Sequence, residues 1–339
     1  MNTSRIVRFE KFGGPEVLNI EELPVEAPKA GEVLLKVQAI GLNRADALFR
    51  SGSYLEQPKF PSRIGVEAAG IVDALGSGVT NVRLGGRVSV APGQSIGRYG
   101  TYGETAIVPA ASVIPYPENL TPPEAASVWV QYLTPCFAFV DMAAIQPGQT
   151  ILITAASGGT GLGSIQMARL LGATVIATTR SAEKEKALRD AGAHHVVVGG
   201  NGNLAIRVME ITGGRGADVV FDPVAGGSLP ALADSVAWGG QIILYGALDA
   251  ADTRYPLLTA FARNFSLRTY LLYNYCGLPD LGLHRNEEAF QRAIQFIQRN
   301  LAEDKFKPII AKTFPLSQVR EAHQYMESNQ QLGKIVLTV

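Results

Sequence analysis

Cysteine is nearly absent from this chain: Cys136 and Cys276 are the two in 339 residues. Two cysteines build neither a disulfide framework nor a four-cysteine zinc site. An excess of one charge is also missing, because 30 lysines and arginines meet 30 aspartates and glutamates. No basic surplus draws the chain onto nucleic acid or an anionic membrane surface. Nor is there a run of about 18 apolar residues, the length a membrane-spanning helix needs. Arg5, Arg8, Glu10 and Lys11 interrupt the apolar stretch of a secretory leader, so the cytoplasm is the expected compartment. No internal repeat and no low-complexity tract occurs.

What is present is material for large cores. Hydrophobic residues make up 47% and charged residues 18%, and the length favours two domains. Up to about residue 125, short strand-like runs (Glu32–Ile40, Gly70–Ala74, Arg87–Val90, Thr105–Val108) alternate with glycine and proline turns, as in a barrel-like unit. One helix, Asn43–Ser51, interrupts them. After Pro122–Pro123 the pattern becomes strand–helix–strand. It has strands at Ile151–Thr154, Thr174–Thr178, His195–Val198, Asp218–Phe221, Gln241–Tyr245 and Ser266–Leu271. Helices at Gly161–Leu171, Ser181–Leu188, Leu204–Ile211 and Ser228–Ala237 fall between them. Such alternation predicts a parallel sheet with right-handed crossovers. Helices Glu287–Asn300 and Ser317–Met326 and a strand Lys334–Val339 follow, whereas residues 250–285 carry no clear period.

The segment Ile151–Gly163, ILITAASGGTGLG, runs from a buried strand through glycines into a helix. That order suits a pyrophosphate: the backbone can come close, and the helix start offers free N–H groups and a positive dipole end. The strict G-x-G-x-x-G pattern fails at Ser164, but Ala155-x-x-Gly158-x-x-Gly161 holds. Ala155, Ser157, Gly158, Gly159, Thr160 and Gly161 are therefore the candidate phosphate turn. An acidic residue about 20 positions on would bind a ribose hydroxyl of NAD. Here Thr178, Thr179, Arg180 and Ser181 stand at the end of the second strand, with Lys184 one turn later. Cations and hydroxyls suit a 2′-phosphate, so NADPH is the expected coenzyme. The plainer alternative is that Arg180 and Lys184 are ordinary solvated charges.

Several further stretches, in this order and spacing, make the chain resemble the zinc-free medium-chain dehydrogenase/reductases, in particular the zeta-crystallin-like quinone oxidoreductases. They are GLNRADALFRSGSY (Gly41–Tyr54), GVEAAGIVDALGSGV (Gly65–Val79), Gly85-Gly86-Arg87-Val88, VQYLT (Val130–Thr134) and AASGGTGLG (Ala155–Gly163). The resemblance implies an α/β chain with two domains and a coenzyme cleft between them. Residues 1–126 and 300–339 would form a GroES-like, β-barrel-type catalytic domain. Residues 127–299 would form a Rossmann domain, a doubly wound parallel sheet that binds NADPH. It also implies that Asn43 and Thr134 lie beside the nicotinamide, that Gly246 brings backbone close to the coenzyme, and that Gly333 and Lys334 approach it. A homodimer through Ser266–Leu271 is implied as well.

The chain departs from the family pattern in places. Val198 and Gly199 stand where some members carry a tyrosine near the adenosine, and Leu48 replaces a second tyrosine of the substrate pocket. Zinc-dependent relatives use a cysteine in the region of Asn43 and a histidine in the motif that here reads Gly65-Val66-Glu67. Catalytic zinc normally takes three protein ligands. His194, His195, His284 and His323 look isolated, so no metal site is expected, and Glu67 is read as a support of the site.

Hydride transfer without a metal needs hydrogen-bond donors to stabilise the oxyanion that develops. Quinones and α,β-unsaturated carbonyls then make easier substrates than simple ketones. Tyr54 is the candidate pocket donor, and Asn43 is a second candidate that could orient the nicotinamide or donate to substrate. Tyr132, Arg98, Tyr99, Tyr255, Tyr270, Tyr273 and Tyr275 are weaker pocket or entrance candidates. Two rivals stay open. One is a 2-enoyl thioester reductase using Arg44, Arg50 and Arg63 for phosphates; the other is a non-catalytic, crystallin-like nucleotide-binding protein.

Overall fold

The computed structural model describes residues 2–199, 201–249 and 251–339. The chain packs as two compact units that divide after Val130 and after Leu272. Tyr273–Val339 therefore belongs with the N-terminal part, whereas the sequence reading begins that return at residue 300. The physical reason is helix Glu287–Ala302. Its apolar face carries Phe290, Ala293, Ile294 and Ile297, all buried. Gln298 donates to the Pro115 carbonyl at 2.7 Å, and Asn119 donates to the Leu301 carbonyl at 3.0 Å, which ties this helix to the first unit.

In the first unit the central strand is Glu32–Gly41, buried along most of its length. It pairs antiparallel with Glu67–Leu75, Thr105–Pro109 and Lys334–Thr338, the last of which carries Ile310–Pro315 as a parallel neighbour. Arg87–Val90 and Val113–Pro115 extend the other side. Val33, Leu35, Val37, Ala68, Val72, Val88, Val108, Ile335 and Leu337 form the core these strands enclose. β-Branched side chains on a pleated, half-buried surface explain the choice of strand. Strand Glu67–Leu75 starts three residues before the predicted Gly70, which brings Glu67 into the sheet. Helix Arg44–Ser51 leaves the end of the central strand and stops at Gly52, which takes the left-handed conformation.

In the second unit the described residues form a six-stranded parallel sheet. In spatial order its strands are His195–Val198, Thr174–Thr179, Thr150–Ile153, Ala217–Asp222, Val236–Leu244 and Ser266–Thr269. Numbered along the chain this is 3-2-1-4-5-6, the doubly wound order whose switch point lies at the carboxyl ends of the first and fourth strands. The fifth strand begins at Val236, five residues before the predicted Gln241, and helix Leu229–Ser235 is correspondingly short. A register shift between Ala217 and Val219 accommodates the extra length. The unassigned region contains helix Leu257–Arg263 and, in the first unit, the short helix Tyr273–Cys276. Helix Trp129–Cys136, also unassigned from sequence, widens into a π-turn at Phe137–Met142. Pro135 lacks the N–H that a regular ladder needs there.

Candidate functional site

The second unit carries the glycine turn. Strand Thr150–Ile153 is wholly buried and releases the chain at its carboxyl end. Ala155 has a positive φ of 46°, and helix Gly159–Leu170 begins after Gly158. A Cβ on Gly161 would stand 2.5–2.6 Å from the backbone of Ala156, so no side chain fits there and the turn stays bare. Ser157, Gly158, Gly159 and Thr160 are partly exposed around it. This is the arrangement an anion needs: accessible backbone at a helix start. Across the switch point, buried Asp222 accepts from the Thr154 hydroxyl and from the backbone N–H groups of Val224 and Ala225. Its carboxyl is held above the ordinary range, chiefly by burial. Gly246 sits against Pro223, whose carbonyl oxygen would be 2.8 Å from any added Cβ.

At the end of the second strand, Thr179 is buried and its hydroxyl accepts from the N–H of Ser181 at 3.2 Å. Thr179 thus shapes the turn that presents its neighbours. Arg180 is exposed and Lys184 half-buried. The Lys184 ammonium is held below its usual range, first by burial and then by the charge of Arg180. Two cations that repel each other at this point make a place where a dianion is stabilised. Thr134 is buried in helix Trp129–Cys136. Tyr132 has no exposure, and its hydroxyl donates to Gln166 at 2.9 Å, which ties two helices.

The first unit holds a buried polar cluster. The Lys334 ammonium donates to Asn43 Oδ1 and to Glu67 Oε2, both at 2.8 Å. Asn43 Nδ2 donates in turn to Glu67 Oε2 at 2.9 Å. Glu67 Oε1 accepts from the Val130 N–H at 2.7 Å. Asn43 occupies the N-cap position of helix Arg44–Ser51, yet its side chain serves this cluster. Its backbone carbonyl accepts the Asp46 N–H instead, and the Asp46 carboxylate accepts the Asn43 N–H at 2.8 Å. The two sequence candidates Asn43 and Lys334 thus meet across 291 positions, with Glu67 as their common partner.

A second run of buried groups adjoins Asp46. Tyr102 Oη donates to Asp46 Oδ2 at 3.0 Å, His323 Nε2 lies 3.2 Å from Tyr102 Oη, and Arg50 donates to His323 Nδ1 at 2.7 Å. Arg50 also bridges to Glu327 at 2.5 Å. Gly65, at φ +112°, makes room for the ring of Tyr102, which would lie 2.3 Å from a Cβ at that position. Burial pushes the Asp46 carboxyl up to about 7. Burial, followed by the charge of Arg50, pushes His323 down to about 3. Sequence reasoning missed this run. The spacing Asn43-x-x-Asp46 carries a capping signal, but nothing local connects Tyr102 or His323 to it.

Tyr54 is half-buried, and its hydroxyl meets that of buried Tyr273. Burial raises the Tyr54 hydroxyl to about 12, so it keeps its proton at neutral pH and remains a donor. Glu56, close by in sequence, is buried and accepts from Ser95 Oγ, Ile96 N–H and Gly97 N–H, which fixes the glycine-rich loop. In that loop Arg98 lies over the Tyr99 ring, and Tyr99 donates to Glu32 at 3.1 Å. Of the three arginines considered for a thioester's phosphates, Arg50 is buried and engaged internally, and Arg44 donates to Met326 and Asn329. Among the described residues no group of three or more His, Cys, Asp or Glu is placed to hold a metal ion.

Comparison with known proteins matches residues 29–118 to the alcohol dehydrogenase GroES-like domain and residues 159–299 to the zinc-binding dehydrogenase domain. The quinone oxidoreductase of Rattus norvegicus is 30% identical over 335 residues, covering 98% of this chain and 97% of the relative. The structure of Escherichia coli quinone oxidoreductase complexed with NADPH superimposes with a TM-score of 0.88 at 30% identity, covering 99% of this chain and 100% of that one. The structure of an NAD-dependent alcohol dehydrogenase gives a TM-score of 0.89, also at 30% identity, with 99% of both chains covered.

Proposed function

Because the chain belongs to the quinone oxidoreductase family of the medium-chain dehydrogenase/reductases, we propose that it is an NADPH-dependent reductase of quinones and other α,β-unsaturated carbonyls. The observation that carries the coenzyme choice is the pair of adjacent cations, Arg180 and Lys184, after a strand end that offers no carboxylate. Arg180 and Lys184 hold the 2′-phosphate, with Thr179 shaping their turn. Ala155, Ser157, Gly158, Gly159, Thr160 and Gly161 receive the pyrophosphate on bare backbone. Gly246 lets the chain come close to the coenzyme. When bound, NADPH supplies the hydride.

Asn43, held by Lys334 and Glu67, orients the nicotinamide, and Thr134 is a further coenzyme residue in this reading. Tyr54 donates its hydroxyl hydrogen to the substrate oxygen. Burial holds the Tyr54 hydroxyl protonated at neutral pH, so it has a hydrogen to give. A delocalised enolate or quinol anion needs less stabilisation than an alkoxide, which suits a site of neutral donors.

Among the described residues no helix is long and apolar enough to cross a membrane. The edge strand Ser266–Thr269, with exposed Trp238, Leu257, Leu258 and Phe261 nearby in the same unit, supports a homodimer formed through this edge. We place the protein in the cytoplasm. The coenzyme assignment is tested by Arg180→Glu. KM for NADPH should rise about 10- to 100-fold, as expected when a charge-assisted contact is lost, while KM for NADH stays nearly unchanged. Equal effects on both coenzymes would refute the phosphate role.

A further inference from the structure

We propose that Asp46 is a positioning residue of the reductase: the buried run Arg50–His323–Tyr102 fixes Asp46, and Asp46 fixes Asn43, whose amide joins Lys334 to Glu67. The inference rests on the reading that Asn43 and Lys334 serve the coenzyme.

The hydrogens along this run have one consistent order. A guanidinium only donates, so His323 Nδ1 accepts from Arg50. A neutral imidazole then carries its hydrogen on Nε2, and that hydrogen points at Tyr102 Oη. Tyr102 must therefore donate its own hydrogen to Asp46 Oδ2, where the Asn43 N–H also arrives. The lowered proton affinity of His323 agrees with the neutral ring. Every link runs toward Asp46, so the run delivers a fixed donor and no interchangeable one. Asn43 is gripped at both ends, by Asp46 at its backbone N–H and by Lys334 and Glu67 at its amide.

Asp46 Oδ1 is buried and has no hydrogen-bond partner. A buried carboxyl with one oxygen unpartnered favours its protonated form, burial being the largest cause. Lys334 and Glu67 already balance each other, and an ionised Asp46 would leave that buried group with an unbalanced negative charge. Arg50 faces from the same helix, and His323 and Glu327 face from helix Val319–Glu327. The Arg50 charge is taken up by Glu327. With its proton Asp46 leaves the Lys334–Glu67 pair undisturbed; ionised, its charge acts on Lys334 and Glu67, the two groups that hold the Asn43 amide. Ionisation of Asp46 is thus coupled to the place of Asn43.

The test compares wild type, Asp46→Asn and Tyr102→Phe. Two quantities are followed against pH: kcat/KM for NADPH with a quinone acceptor, and the infrared carbonyl band of a protonated buried carboxyl. Wild type should lose both the band and activity along one alkaline limb centred near 7. Asp46→Asn should lack the band and show no such limb. Tyr102→Phe removes a donor that favours the carboxylate, so band and limb should move together to higher pH, by about one pH unit. A limb that persists in Asp46→Asn, or that stays put while the band moves, overturns the inference. If Tyr102→Phe does not fold, His323→Gln is read in its place, with the same requirement that band and limb move together. If wild type turns over no acceptor, the proposed function falls. The limb is then sought in NADPH binding followed by nucleotide fluorescence, and its absence there overturns the positioning role.

Discussion

Replacing Asp46 with asparagine should make the stability of the first unit less dependent on pH, by an amount the structure allows one to work out. The carboxyl is fully buried, and its proton affinity is raised from 3.8 to about 7, burial being the largest cause. The folded state therefore binds this proton more tightly than the unfolded chain does. The associated stability is complete below the unfolded value, declines as pH rises through the interval, and levels off above the folded value. Between about pH 5 and about pH 8 the decline is on the order of 2–3 kcal/mol. His323, lowered to about 3, acts in the opposite direction on the acid side, but it is present in both proteins and drops out of their difference.

The assay is guanidinium chloride unfolding of wild type and Asp46→Asn in a Trp238→Phe background. Trp129 then reports the first unit alone, because it is buried there and donates to Ser89 at 2.8 Å. Asp46→Asn should gain on the order of 2–3 kcal/mol on wild type across that pH range. A difference that does not vary with pH would show that Asp46 is ionised throughout, and the account of the buried cluster would fail.

Tyr54→Phe should lower kcat about 10- to 100-fold, the worth of one donor to a developing oxyanion, with NADPH affinity retained; steady-state kinetics with fluorescence titration of the coenzyme checks both. Unchanged kcat would remove Tyr54 from the chemistry. Leu258→Asp combined with Phe261→Asp should convert a dimer to a monomer in sedimentation velocity. These side chains are 83% and 75% exposed in the isolated chain, so the fold itself should be unaffected. A species of unchanged mass would place any dimer contact elsewhere.

Legibility of the fold from sequence followed the range of the interactions involved. The strand–glycine–helix order at Ile151–Gly163 is local, and it correctly led to a doubly wound parallel sheet. The exclusion of a side chain at Gly161 by Ala156 is equally local. The start of strand Val236–Leu244 was missed because Trp238, Gly239 and Gly240 break the alternation of that segment, although pairing with Ala217–Asp222 holds it extended. The domain return was misplaced because amphipathicity shows that Glu287–Ala302 has a buried face but not which unit receives it. The Asn43–Lys334 and Tyr102–His323 contacts join positions more than 200 residues apart, beyond the reach of any periodicity. The family resemblance supplied Asn43 and Lys334; His323 looked isolated in sequence and is fully buried.

The most direct test of the central claim is NADPH oxidation, with NADH as control, against a quinone and an enoyl-coenzyme A side by side. The account predicts fast turnover of the quinone with NADPH, and slow turnover of the thioester or with NADH. Faster turnover of the thioester would make the protein an enoyl thioester reductase, preference for NADH would contradict the role of Arg180 and Lys184, and turnover of neither acceptor would contradict the reductase reading itself.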